Sequence, residues 1–191
     1  MTKFYFSFTL LLVLHFQSNA QTGSMVEIGG TRIINAQDDF HGNGVGAGLE
    51  YVLGSKWSAA FGVSYSADNI YRNTTLNVNN SNTNFAYGFK MKTTAFAASL
   101  KYYPKKAGTG LFFGPGLLLL DHNNLYPRVE NNQVIYEKNK NAILSAGVVL
   151  GLHVPCSRHL FLEAMNQDGI LLGGGNNQFA GTLSLSLGYR F

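Results

Sequence analysis

Cysteine is almost absent from this chain. Cys156 stands alone among 191 residues, so no internal disulfide can form, and its setting in a Pro155-Cys156-Ser157 turn signal gives no reason to expect a reactive thiol. Charge is scarce as well. Asp, Glu, Lys and Arg make up 13% of the chain, against the ~25% usual for soluble globular domains. No window holds 18 consecutive apolar residues, which excludes a membrane-spanning helix. Lys and Arg form no run along the sequence, so nucleic acid is not an expected partner. What is plentiful is glycine, with 22 residues, and aromatic side chains at 13%. Low charge with abundant Gly and aromatics is odd for a soluble protein and ordinary for a barrel that faces lipid.

The N-terminus reads as a leader. Lys3 precedes an apolar run over 4–16, and Ser18-Asn19-Ala20 places small residues at −3 and −1 of a cut before Gln21, the layout of a secretory signal peptide. The run is too short for the ~20 residues that a bilayer-spanning helix needs. The expected division is therefore a cleaved signal at 1–20 and one domain at 21–191. Lys3 leaves with the signal, so the formal net charge falls from +4 to +3.

The clearest periodicity lies at 179–191. Leu183, Leu185, Leu187, Tyr189 and Phe191 alternate with Thr182, Ser184, Ser186, Gly188 and Arg190. A strict period of two is a β-strand with unlike faces. A face of Thr, Ser and Gly is too poor in charge to meet bulk water, so it is expected inside a barrel, with the leucines turned to lipid. The same alternation predicts seven earlier strands, at 25–34, 45–53, 57–66, 92–103, 110–120, 142–154 and 159–165. Pro115 falls within the fifth and cannot donate to a ladder, so a bulge or kink is expected there.

Connections alternate in length. Short turns are expected at Gly54, Pro104 and Pro155, and long polar loops at 35–43, 67–90, 121–141 and 166–178, the Asn-rich 67–90 segment carrying strand extensions beyond the membrane. The resulting fold class is all-β: an eight-stranded antiparallel up-and-down transmembrane β-barrel, closed because lipid tolerates no unpaired strand edge. Tyr51, Trp57, Tyr102, Tyr103, Tyr189 and Phe191 fall near the short-turn rim as an expected aromatic girdle, with Tyr65, Phe85, Tyr87 and Phe179 as the opposite ring.

These segments also carry a resemblance. Lys101-Tyr-Tyr-Pro104, Leu111-Phe-Phe-Gly-Pro-Gly116, Arg158-His-Leu-Phe-Leu-Glu-Ala164 and the closing Gly188-Tyr-Arg-Phe191 resemble the small Gram-negative outer-membrane β-barrel domain family. The resemblance implies an outer-membrane location with periplasmic N- and C-termini. It also implies contact with outer-membrane lipid and lipopolysaccharide, and an assembly signal at Tyr189 and Phe191 read by the barrel-assembly machinery during insertion. Family members serve as structural barrels, adhesins, small pores or, in some cases, lipid-modifying enzymes.

The strand faces place Glu50, Lys101, Glu163 and Arg190 inside, with Glu27 beside them. Charges in a low-dielectric interior must pair, so a lumen charge network is expected. Catalysis finds no support. The lipid deacylases among such barrels carry His-x-Ser, whereas His41, His122, His153 and His159 are followed two positions on by Asn43, Asn124, Pro155 and Phe161. His159 and Glu163 share a face but lie ~13 Å apart along a strand. His153, Cys156 and His159 flank one turn at a spacing that matches no zinc site. No catalytic residue, metal or cofactor is expected. The expected role is structural or surface-interaction, with the long loops carrying any recognition of an unidentified external ligand. A narrow pore for small or apolar solutes is the alternative, and a soluble lipocalin-like binder would need the leucine faces turned inward.

Overall fold

The computed structural model describes residues 23–35, 40–78, 81–131, 133–172 and 178–191. The expected signal peptide at 1–20 and its cut before Gln21 lie outside these residues. The described residues form eight strands: β1 (Met25–Asn35), β2 (Phe40–Val52), β3 (Trp57–Val78), β4 (Ser81–Tyr102), β5 (Gly110–Glu130), β6 (Gln133–Pro155), β7 (Leu160–Leu172) and β8 (Phe179–Arg190). Each pairs antiparallel with the next, and β1 pairs with β8 from Met25↔Arg190 to Asn35↔Ala180, closing the barrel.

Register fixes the shape of that barrel. Paired residues lead from Trp57 through Tyr102, Phe113, Leu150, Asn166, Leu183 and Arg32 to Asn43. Asn43 lies one residue before the Gly44↔Ser66 pair and so faces Ala67, ten residues above the start. Ten residues of stagger over eight strands set a tilt of about 41° and a backbone radius of about 8 Å, given ~3.3 Å per residue and ~4.8 Å between strands. Such a lumen is just wide enough for side chains to fill.

The faces sort as the alternation predicts. An apolar residue from every strand is exposed on the outside: Ile28, Val45, Phe61, Phe96, Leu117, Val148, Leu162 and Leu185, the last at 65%. An apolar ring of that extent is not stable in water. It suits hydrocarbon, and it rules out the soluble binder, whose leucines would pack inward.

Strand lengths differ from expectation. The strand extensions expected within 67–90 are present as upward continuations of β3–β4 laddered to Val78↔Ser81, and 121–141, expected as a loop, is likewise an extension of β5–β6 laddered to Glu130↔Gln133. Polar, Asn-rich strands carry no alternation to betray them, and cross-strand hydrogen bonding holds them instead. Likewise β7 runs to Leu172, well into the stretch expected as the loop 166–178, and 35–43 is strand at both ends.

Pro115 produces a gap rather than a bulge. The β4–β5 ladder runs from Thr93↔His122 to Ser99↔Gly116, skips Leu100 and Lys101, and resumes at Tyr102↔Phe113 in unchanged register. No residue has been inserted. The missing amide hydrogen interrupts the pairing and nothing more.

Candidate functional site in the lumen

Inward positions near the short-turn rim bring together residues far apart in sequence. Lys101 Nζ donates to Glu50 Oε2 at 2.7 Å and to Glu163 Oε1 at 2.6 Å. Glu50 Oε1 also accepts from the Ser58 hydroxyl at 2.7 Å and the Tyr103 phenol at 2.8 Å. Glu163 Oε2 lies 3.2 Å from His153 Nδ1. The Lys101 ammonium is also 4.6 Å from the centre of the Phe112 ring, a cation–π distance. The lysine is 1% exposed, so its charge depends wholly on these partners.

Of the residues expected in the network, Glu50, Lys101 and Glu163 meet directly. Glu27 faces inward and accepts from the Ser186 hydroxyl, one layer above. Arg190 requires a correction. Its side chain points to the same end of the barrel, but it donates to the Gly108 carbonyl and reaches His153 Nε2 at 3.4 Å. Among the described residues it pairs with no carboxylate. The reason is the turn after β4, which folds into the barrel mouth and puts the Gly108 carbonyl in its way. The φ of +69° at Gly108 permits that fold, and a Cβ there would lie 2.5 Å from the arginine.

His153 and Tyr103 join the cluster without having been expected in it. His153 is in phase with Ser145, Gly147 and Gly151, so its inward direction is legible in the sequence, although the turn grouping sets it beside His159 and Cys156 instead. His159 bonds the Arg190 carbonyl at 3.1 Å on the outside. Tyr103, expected in the girdle, is fully buried, and Tyr87 likewise turns inward. Trp57, Tyr102, Tyr189 and Phe191 do line the outer rim as expected, linked by ring contacts such as Trp57–Tyr102 at 4.9 Å.

Glu50, His153 and Glu163 present ligand atoms within 4.8 Å of one another, a donor set that a divalent cation could use. Here the Lys101 ammonium sits against both carboxylates and supplies the cation itself. The arrangement balances charge. It offers no open coordination position and no nucleophile beside the His153–Glu163 pair.

Two apolar clusters pack in the lumen. Tyr103, Ala107, Phe112 and Val149 pack with Val52 and Met165 around the ion cluster, with Met165 and Val149 two and four residues up their strands from Glu163 and His153. Above, Ile33, Phe40, Ile70, Met91, Leu118, Leu120 and Leu171 form a larger cluster, with Thr93, His122 and Ser145 buried alongside. Between them lies a cavity of about 60 Å³ bounded by Glu27, Gly29, Thr31, Gly46, Gly62, Ser64, Met165 and Ser186. It has room for a few waters.

No protein-family model matches the chain, and no curated protein matches it. Solved structures do. The outer membrane protein OprG from Pseudomonas aeruginosa is 11% identical with a TM-score of 0.57, covering 89% of this chain and 96% of its own. A major outer membrane protein from Thermus thermophilus is 11% identical with a TM-score of 0.57, at 88% and 99% coverage. Neisserial surface protein A is 12% identical with a TM-score of 0.51, at 88% and 96%. At these identities the likeness is one of fold: this chain has the eight-stranded barrel of outer-membrane proteins.

Proposed function

We propose that this chain is a barrel of a Gram-negative outer membrane with a structural or surface-interaction role. Its short turns and both termini face the periplasm, and its two long hairpins stand outside the cell. The reading rests above all on the filled lumen, which the described residues occupy with a buried Glu50–Lys101–Glu163 cluster and two packed apolar clusters. It is supported by the unbroken apolar ring, by the aromatic rim and by the hairpins that rise beyond the ring. Tyr189, on the strand that closes the barrel, and Phe191 just beyond its end are both exposed at the rim, and they are the residues an assembly factor would read. Catalysis has no part in this reading, because the buried His153–Glu163 pair faces a lysine and not a substrate path.

The alternative is a narrow pore, which requires the packed lumen side chains to move aside. Planar-bilayer recording separates the two. Pure refolded protein should be electrically silent at either polarity, and discrete, reproducible openings would overturn the closed-barrel reading in favour of the pore.

A further inference from the structure

The lysines are distributed unevenly over the described residues. Lys56, Lys105 and Lys106 lie in the short turns, and Lys101 is in the lumen. The other four are exposed and face outward, Lys90 and Lys92 on β4 and Lys138 and Lys140 on β6. Phase shows this directly, since Lys92 and Lys90 follow Phe96 and Thr94 on one face, and Lys140 and Lys138 follow Leu144 and Ala142.

Register brings the two pairs together. Lys140 pairs with Asn123 and Lys138 with Leu125 on the intervening β5. Lys92 is the residue beyond the last β4–β5 pair, Thr93↔His122. The four therefore flank β5 where the two hairpins begin to part, within reach of one ligand for side chains as long as lysine. None of them forms an ion pair among the described residues, whereas the nearby Arg128 is held by Glu130 and Glu137 at 3.3 and 3.4 Å. Asp121 shares the outward face one step lower, opposite Thr94 and Ala142, and leaves the patch strongly positive.

Height and shape point to the occupant. Lys92 is ten residues above the rim residue Tyr102, which at the strand tilt is about 25 Å, the height of the apolar band of such barrels. Lys92 thus sits at the upper headgroup level, with Lys90, Lys140 and Lys138 rising above it. Directly below it the lipid-facing surface carries a trough of about 330 Å³ between Phe61, Phe96, Leu117, Leu119 and Leu144, floored by Ala98. A basic cluster over an apolar trough matches a ligand with anionic groups above and hydrocarbon beneath. We propose that β3–β6 form a docking site for a bisphosphorylated glycolipid of the outer leaflet, its phosphates held between the β4 and β6 lysines and an acyl chain lying over Ala98. This inference rests on the barrel standing in the outer membrane with its hairpins outward, and not on the filled lumen.

The test uses the full chain refolded in detergent micelles, with bisphosphorylated lipid A as the probe and retained lipid counted by native mass spectrometry. The variant Lys90→Gln, Lys92→Gln, Lys138→Gln, Lys140→Gln should weaken retention on the order of a thousandfold, from the electrostatic contribution of each lysine near anionic lipid. Ala98→Phe, which fills the trough without changing charge, should weaken it separately. Lys56→Gln, Lys105→Gln, Lys106→Gln on the opposite rim should leave it unchanged. Retention by the fourfold variant equal to wild type would sink the proposal, as would an equal loss in the opposite-rim variant. Equal retention of phosphatidylglycerol would also overturn it, by showing a surface that takes any anionic lipid. A heat-modifiable gel band from each variant reports the barrel separately, so failure to fold is distinct from failure to bind.

Discussion

An ammonium taken out of water costs several kcal/mol unless its partners are close and well aligned, and Lys101 meets that condition with two carboxylates at 2.7 Å or less. The converse also holds. Glu50 and Glu163 are buried around it, and removing the lysine would leave two anions facing each other. Lys101→Met should therefore destabilise the barrel by roughly 3–5 kcal/mol, whereas Glu50→Leu, Lys101→Met, Glu163→Leu together should recover most of that loss, because a well-packed apolar replacement is often neutral. Urea unfolding in lipid vesicles, followed by the fluorescence of the single tryptophan, Trp57, checks both. A single variant as stable as wild type would show that the cluster is not sealed from water.

Among the strands, the seam between β4 and β5 is the weakest join in the barrel wall, since Pro115 interrupts its ladder while the other ladders have no internal gap. Gly114 makes the seam possible. A Cβ there would lie 1.8 Å from the Leu100 carbonyl oxygen, whereas at Gly30, on the outer face, it would meet nothing within 4 Å. Gly114→Ala should accordingly cost about 1–3 kcal/mol, the usual penalty of overpacking. Gly30→Ala should be close to neutral in the same urea titration. Equal effects at the two glycines would refute this account of the seam.

Sidedness is a property of the whole molecule, and the lone cysteine reports it. Cys156 is exposed in the turn between β6 and β7, at the rim proposed to face the periplasm, while the β3–β4 hairpin stands at the opposite end. In intact cells a membrane-impermeant maleimide should not label Cys156, and it should do so once the outer membrane is permeabilised. A Cys156→Ser, Thr83→Cys chain should show the reverse, labelling in intact cells. Labelling of native Cys156 from outside would invert the proposed orientation and, with it, the leaflet assigned to the β4–β6 lysines.

Alternation in a strand is a local property of the backbone, because successive side chains must leave opposite faces. That is why the sequence alone determined the strand count, the lipid-facing leucines of β8 and the inward direction of Glu50, Lys101 and Glu163. Which inward residues touch was not local. Lys101 is 51 residues from Glu50 and 62 from Glu163, and only the ten-residue stagger of the closed barrel sets them at one height, with Arg190 deflected to Gly108 and His153 in its place. The same holds outside. No run of lysines exists along the chain, yet two strands in register assemble one. The β5–β6 extension over 121–141, too, became visible only in three dimensions, since its strands are held by hydrogen bonds to each other and not by an apolar pattern that either could show on its own.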